Sequence, residues 1–546
     1  MVYDYLMING RIVDGTGNPW YKAALAIQGH RIAAIGNIAS TQADQVIDAA
    51  GLVVAPGFID IHQHSEIHLV IHPQAESLLK QGITTVLCGN CGWSAAPISE
   101  HNCELVYSPW WPHEIAPTWR TFNQFFKIYE EQGIAVNIAN LVGHGWIRGA
   151  VMGWKARPSV PSELEEMKTL TIQAMEDGAF GLSTGLSYPP GCWSETHEVV
   201  ELCKIVARYG GFYATHDRGG KWPQGKQEAL QCAEDASLPV HISHIETHSG
   251  SWGRQTEALN LVQNARRKSI DVTFDVCTTA YGGSWLLSSL LPFWTYEGGA
   301  PQILARLQDS KTRARIVTNL CQKPPEFWNN IILLGSYVHP EIIGMNLAEI
   351  AEFWDLPPWT AAINLLIDEG LRLVEVDCAM KGHVPPDLEE TIAQPTCMPI
   401  TDSWLPASSG IISRHAPHPR GYGGLTIVFR KWVRGETLKT IPEEPGAQIL
   451  TLTDAVRKMT SLPAQRMGLH DRGLLKEGNV ADIVLFNPQT LSDRAPYPNA
   501  KNRRPHLYSE GVHYLFVNGN LVLNQGECLP VLPGKILRSP GYYLTC

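Results

Sequence analysis

The sequence predicts an α/β fold: a TIM-like (β/α)8 barrel over residues 56–470, flanked by a small β-sandwich domain built from both chain ends, residues 1–55 and 471–546. Three observations carry this. Between Pro56 and Leu469 short apolar runs alternate with stretches of helical periodicity, in about eight strand–helix units. Both ends read as β, each with an Asn-Gly turn between apolar runs, at Asn9-Gly10 and Asn518-Gly519. No glycine fingerprint follows the first barrel strand, as an open doubly wound sheet would require.

The elements follow in order. Tyr5 to Ile8, Arg11 to Val13, Ala24 to Ile27 and Arg31 to Ile35 are short strands joined by turns, with a hairpin expected at Asn9-Gly10. Phe58-Ile59-Asp60-Ile61 is the first barrel strand and runs into His62-Gln63-His64. Ile83 to Leu87 is a β-branched strand closed by Cys88-Gly89-Asn90-Cys91-Gly92. Ala135 to Leu141 follows, and Ser162-x-x-Glu165 reads as a capping box opening a helix that stops at Gly178. Strands at 180–184, 212–215, 239–244 and 271–276 come next, the third of them ending in His244 and the second followed by His216. Leu347 to Gly370 reads as two helices of the barrel's outer ring, and Cys397 to Thr401 as a strand delivering Asp402. After Gly473 the pattern is β again.

Totals narrow the function. The 546 residues are 44% hydrophobic and 18% charged, with a formal net charge of −10, so material for a large core is ample and a nucleic-acid surface is not indicated. Lys501, Arg503 and Arg504, beside Pro505, read as a solvated loop. No leader pattern and no apolar run near the ~18 residues of a membrane span is seen, so a soluble, cytoplasmic protein is expected. Twelve scattered cysteines fit buried thiols better than a disulfide framework.

Catalytic groups of such barrels come from strand C-terminal ends. His62 and His64 share a face by strand alternation and could share one cation. Cys91, His216, His244 and Asp402 stand at other strand ends, and imidazole together with thiolate suits zinc. His241 is the alternative to His244; three apart in a strand, they should face opposite sides, and His244 lies nearer the strand's end. Cys88-x-x-Cys91 could also be a redox or zinc-knuckle pair, but no second pair exists to complete a four-cysteine site. The aromatic-rich stretches 107–112 and 285–294 are either walls for an apolar acyl group or ordinary loop packing.

The segments GLVVAPGFIDIHQH, GITTVLCGNCGWSAAP, LVGHGWIRGAVMG, GAFGLSTGLSYPPG, GGFYATHDRGG, HISHIE, HPRGYGG and TSLPAQRMGLHDRGLLKEGNVADIVLFNP resemble the amidohydrolase superfamily, and within it the N-acyl-D-amino-acid deacylases. The resemblance implies a metal-dependent hydrolase of a small molecule with an amide bond. It implies one tightly bound Zn2+ on Cys91, His216 and His244, and a second, weaker position at His62, His64 and Asp402 that Cys91 can bridge. Asp402 would be the acid/base, with Tyr188 and Arg420 holding the substrate and Arg420 pairing its α-carboxylate. Two places depart from the family pattern. Glu246 stands where a lysine is usual, and Cys277-Thr278-Thr279 where Tyr-Pro-Tyr is usual. Glu246 is thus a candidate substrate-binding residue favouring a bulkier or cationic group. The rival readings are another amidohydrolase reaction (cyclic amide or lactone opening, or deamination) and a non-catalytic scaffold on the same fold. Oligomeric state is not legible.

Overall fold

The two chain ends meet in one sheet. In the computed structural model, which describes residues 2–102, 111–112 and 114–542, a seven-stranded sheet runs in the order Glu527–Cys528, Asn520–Asn524, Val512–Val517, Ile483–Phe486, Val53–Pro56, Arg11–Ile12, Tyr21–Lys22. A four-stranded sheet, Arg31–Gly36, Ala24–Gln28, Tyr3–Ile8, Ala43–Asp48, faces it. Met7, Leu25 and Ile27 of the smaller sheet pack on Val54, Ile483, Leu485 and Phe516 of the larger, the inner faces of a sandwich. Asn518 and Gly519, both at positive φ, turn the hairpin in which Val517 pairs with Asn520.

The other Asn-Gly turn does not make the expected hairpin. Tyr3–Ile8 pairs with Ala24–Gln28 and Ala43–Asp48, whereas Arg11–Ile12 belongs to the larger sheet. Asn9, at φ 64°, bonds through its side chain to Asp48, and Gly10 turns the chain from one sheet to the other. A Cβ on Gly10 would lie 2.7 Å from Val54 Cγ2, so this corner is packed too closely for a side chain.

Eight parallel strands form the barrel. They are β1 (Phe58–Asp60), β2 (Ile83–Cys88), β3 (Asn137–Asn140, continued by Val142–Gly143), β4 (Gly181–Gly185), β5 (Phe212–His216), β6 (Val240–Ile242), β7 (Val272–Cys277) and β8 (Cys397–Ile400). The ring closes between β8 and β1 through a parallel bridge of Gln63 with Ser403 and the bonds Asp402 N–H to His62 O and His64 N–H to Ser403 O, both 3.0 Å. Ile59, Leu87, Ala139, Ala214, Cys277, Met398 and Ile400, from six strands, form one buried cluster that fills the barrel and is covered by Leu462, Ala464 and Met467. The lower part of β3 and Ile134 ahead of it give their open edge to the C-terminal tail, through bridges Ile138–Ile536 and Ile134–Pro533, while the upper part of β3 pairs with β4.

Two further expectations change. The helix expected to start at Ser162 begins at Pro161; Val160 precedes it and its N–H is bonded by the Glu163 carboxylate at 2.9 Å. Proline at the first helical position needs no N–H partner, so it moves the start forward. The pair Leu347–Trp354 and Pro358–Asp368 is helical but lies off the barrel's ring. It belongs to an insertion between β7 and β8 that has its own antiparallel sheet (Tyr281–Leu286, Asp377–Lys381, Ile331–Leu333) and its own core of Leu287, Ile303, Trp328, Leu347 and Leu366. The barrel's helix between β7 and β8 is instead Pro385–Ile392, which packs on both strands. Among the described residues no cysteine is disulfide-bonded, and no helix is long and apolar enough to cross a membrane.

Candidate metal centre

The loop after β2 is the first piece of the site. Gly89 and Gly92 sit at φ 78° and 76°; a Cβ on Gly89 would lie 2.1 Å from Leu141 O, and one on Gly92 2.7 Å from Gly185 N. Only glycine fits both places, so the loop beds down between β3 and β4. Ser183 Oγ accepts from Gly92 N–H at 3.0 Å and donates to Gly89 O at 2.5 Å, clamping the two ends. Between them Cys91 is held at φ 56° with its side chain buried. His244 and Asp402 also have positive φ, 32° and 46°. Left-handed backbone at non-glycine residues costs of order 1–3 kcal/mol each, and it gathers here at strand ends that aim side chains into one place.

The six side chains named from the sequence stand together at the C-terminal mouth of the barrel. His62, His64, Cys91 and Asp402 each offer one donor atom within 4.8 Å of the others, and Cys91, His216 and His244 do the same. Cys91 Sγ is common to both groups, 3.2 Å from His62 Nε2 and 3.5 Å from His244 Nε2. Asp402 Oδ1 is 3.3 Å from Nε2 of both His62 and His64, while Gln63 turns away to Asp60 and Thr401. His216 Nε2 lies 2.5 Å from Ser187 Oγ.

Asp275, given no role from the sequence, organises this cluster. It bonds His62 Nδ1 at 3.0 Å and His241 Nε2 at 2.9 Å, and accepts the backbone N–H of His244. Holding Nδ1 fixes the His62 tautomer so that Nε2 faces Cys91 and Asp402, the usual support of a metal-bound histidine. Its signal was a carboxylate inside the seventh strand, near that strand's C-terminal end. His241 does not face away from the site as strand alternation suggests: β6 ends at Ile242, so His244 lies beyond the strand, and the His241 ring and the His244 backbone N–H both bond Asp275.

The charges match a cation's needs. Burial pushes the Cys91 thiol up, but His62, His216 and His244 outweigh it and hold the thiol well below its ordinary value. Burial likewise opposes ionisation of Asp402, yet Arg420 and the histidines keep it well below the usual carboxylate range. Burial disfavours a charged His64 or His244, but Asp402 and Cys91 raise both to about 9. A thiolate, a carboxylate and four imidazoles thus stand where a divalent ion could replace protons. The donor set fits zinc, whose ligands on one tetrahedral ion lie roughly 3.5 Å apart.

The remaining candidates border the cluster. Tyr188 donates its hydroxyl to Cys91 O at 2.6 Å, stacks on Trp93, and makes a T-shaped contact with the His216 ring, centroids 4.9 Å apart. Arg420, buried, bonds Asp402 Oδ2 at 2.9 Å. Glu246 is outside the six-residue group: it is buried, and its Oε1 accepts the N–H of Cys277 at 3.3 Å and faces His383 at 3.4 Å. Of the aromatic stretches, Trp111 is stacked on Trp119 and Trp146, and Trp294 packs under Arg315 in the insertion, both as structural packing. Residues 107–110 lie outside the described residues.

A barrel with a Cys-containing metal-type centre at its mouth defines a class, and the comparisons place the chain within it. The model of the amidohydrolase family matches residues 45–317 and 428–523, and the chain belongs to that family. It is 31% identical over 542 residues to N-acyl-D-aspartate deacylase of Alcaligenes xylosoxydans xylosoxydans, covering 98% of this chain and 95% of that one. To the D-aminoacylase of the same organism it is 30% identical over 552 residues, 98% and 97% of the two chains. Among solved structures, the N-acyl-D-glutamate deacylase of Bordetella bronchiseptica, complexed with zinc and a phosphonate mimic of the tetrahedral intermediate, superposes with a TM-score of 0.81 at 29% identity, over 99% of this chain and 100% of that one. D-hydantoinase shares the fold at 14% identity and a TM-score of 0.53, over 99% of each chain.

Proposed function

We propose that this chain is a zinc-dependent amide hydrolase that deacylates an N-acyl-D-amino acid to a carboxylic acid and a free amino acid. The observation that carries this reading is the pair of donor groups sharing Cys91, with Asp402 between the histidines and Arg420. The deacylases and D-aminoacylase similar to it over nearly the whole chain support it. Cys91, His216 and His244 would hold one zinc tightly; His62, His64 and Asp402, with Cys91, would hold a second more weakly. A divalent ion there supplies Lewis acidity, polarising the scissile carbonyl and lowering the pKa of water from 15.7 to about 7.

The chain's own residues do the rest. Asp402, ionised at neutral pH, takes the proton of the attacking water and delivers it to the departing amine nitrogen. Water and one amide become one acid and one amine, so Asp402 ends as it began. Tyr188, whose hydroxyl reaches the Cys91 carbonyl, is placed to turn its O–H to the oxyanion that develops on the carbonyl oxygen. Arg420 lowers the basicity of Asp402 and, with five N–H donors on its guanidinium, offers a fork to the substrate's carboxylate.

Amine release from N-acyl-D- and N-acyl-L-amino acids, neutral, acidic and basic, tests the reading on zinc-loaded protein. Hydrolysis confined to D-substrates, lost on chelation and restored by zinc, is expected. No release from any of them, alongside opening of a cyclic amide, would replace it with the ring-opening reading.

A further inference from the structure

On the far side of Asp402 the barrel holds a second set of donors. Glu246, Cys277 and His383 are all buried, with one donor atom each within 4.8 Å of the others. Three separate segments deliver them: Glu246 follows His244 by two residues, Cys277 ends β7, and His383 follows the insertion strand Asp377–Lys381. None of the six residues of the first centre takes part.

Two details single this cluster out from ordinary polar packing. Glu246 Oε2 is buried and has no hydrogen-bond partner among the described residues, while Oε1 accepts from Cys277 N–H and faces His383 Nε2 at 3.4 Å. A buried carboxylate oxygen left without a donor is costly, so some positive group is wanted beside it. The second detail is the orientation of His383. Its Nδ1 lies 3.3 Å from the carbonyl oxygen of Thr247, which can only accept, so Nδ1 carries the hydrogen and Nε2 is presented to Glu246. An imidazole anchored at one nitrogen by a backbone carbonyl, with the other turned to a carboxylate and a thiol, is how a protein prepares a metal ligand.

We propose that Glu246, Cys277 and His383 form a further divalent-cation site, with the mixed S, N and O donors that zinc accepts. Cys277 Sγ lies 3.5 Å from Asp402 Oδ2 and 3.6 Å from Arg420 Nη1, so the site borders the same carboxylate–guanidinium pair that the hydrolytic centre uses. On ion binding Cys277 gives up its thiol hydrogen to solvent and the sulfur's lone pair bonds the metal.

The test separates the two sites by their sulfur. In full-length Cys91→Ser protein, stripped with chelator and titrated with Co2+, Cys277 is the thiol remaining in the mouth. A thiolate-to-cobalt absorption is expected, and it should vanish in Cys91→Ser/Cys277→Ser with an unchanged circular-dichroism spectrum. Absence of the band in folded Cys91→Ser protein, or its persistence in the double variant, would overturn the site. Should Cys91→Ser not fold, the zinc content of otherwise unaltered protein decides: His383→Gln and Glu246→Gln should each lower it by about one ion per chain, and an unchanged content would overturn the proposal.

Discussion

Asp402 has neighbours that fit two tasks at once. His62 and His64 approach its Oδ1, and Arg420 holds its Oδ2, so one oxygen faces the metal-type donors and the other is charge-compensated. If it moves the proton, Asp402→Asn should lower kcat by about 10²–10⁴-fold, the range of general acid–base catalysis. The variant should still bind zinc tightly on Cys91, His216 and His244, which are untouched; normal turnover by this variant would remove Asp402 from the mechanism. Asp275 is a positioning residue. Its bond to His62 Nδ1 sets which nitrogen reaches Cys91 and Asp402. Asp275→Asn should weaken metal binding by about 10–100-fold, read by chelator competition, with activity recovered at excess zinc. The residues themselves were legible at His62, His64, Cys91, His216, His244 and Asp402, because strand ends are where such a barrel puts its chemistry. Asp275 was not, because its role exists only through the rings it touches. His383 left no signal at all: nothing near it in the chain marks a site, and only the fold brings it to Glu246.

The element that fixes the centre is the loop after β2, where steric limits rather than hydrogen bonds choose the residues. Gly51 and Gly92 both have positive φ, but a Cβ on Gly51 meets nothing within 4 Å whereas one on Gly92 meets the β4 backbone. Gly51→Ala should therefore cost backbone strain alone, and Gly92→Ala should add a clash that displaces Cys91. The expected result is a loss of more than about 1 kcal/mol for Gly92→Ala together with a fall in metal content, measured by denaturant midpoint and metal analysis. Retained metal would show that the loop does not aim the thiol. Elements are legible in the sequence where local rules decide them, as in the Asn518-Gly519 hairpin. Local rules fail where the partner lies elsewhere. Asn9-Gly10 carries the same two letters, but Asp48 and Val54 draw its arms into different sheets. The helices Leu347–Trp354 and Pro358–Asp368 have the apolar period of barrel helices, and only their contact with Leu287, Ile303 and Trp328 assigns them to the insertion.

At the scale of the molecule, buried ion pairs tie barrel helices together and make stability depend on acid. Glu198 accepts from His144 Nε2 at 2.8 Å and from Arg148 Nη1 at 2.6 Å. Burial alone would raise its pKa, but the His144 bond and the charges of His144 and Arg148 pull it from its ordinary 4.5 to about 2. A carboxyl depressed in the folded state stabilises the fold above its unfolded pKa. That contribution is lost as the pH falls from about 4.5 through about 2. Urea midpoints at pH 6 and pH 3 should drop steeply for the native chain. Glu198→Gln should start about 3–5 kcal/mol lower, with Arg148 left buried and unpaired, and should lose less between the two pH values. An equal loss in both proteins would assign the acid sensitivity to other carboxyls.

Whether six side chains grip a cation at the barrel mouth is tested most directly by an anomalous-difference map from zinc-loaded crystals. It should place an ion about 2.3 Å from Cys91 Sγ and about 2.0–2.1 Å from nitrogens of His216 and His244. A hydrolytically active crystal form whose Cys91 sulfur carries no metal would contradict it.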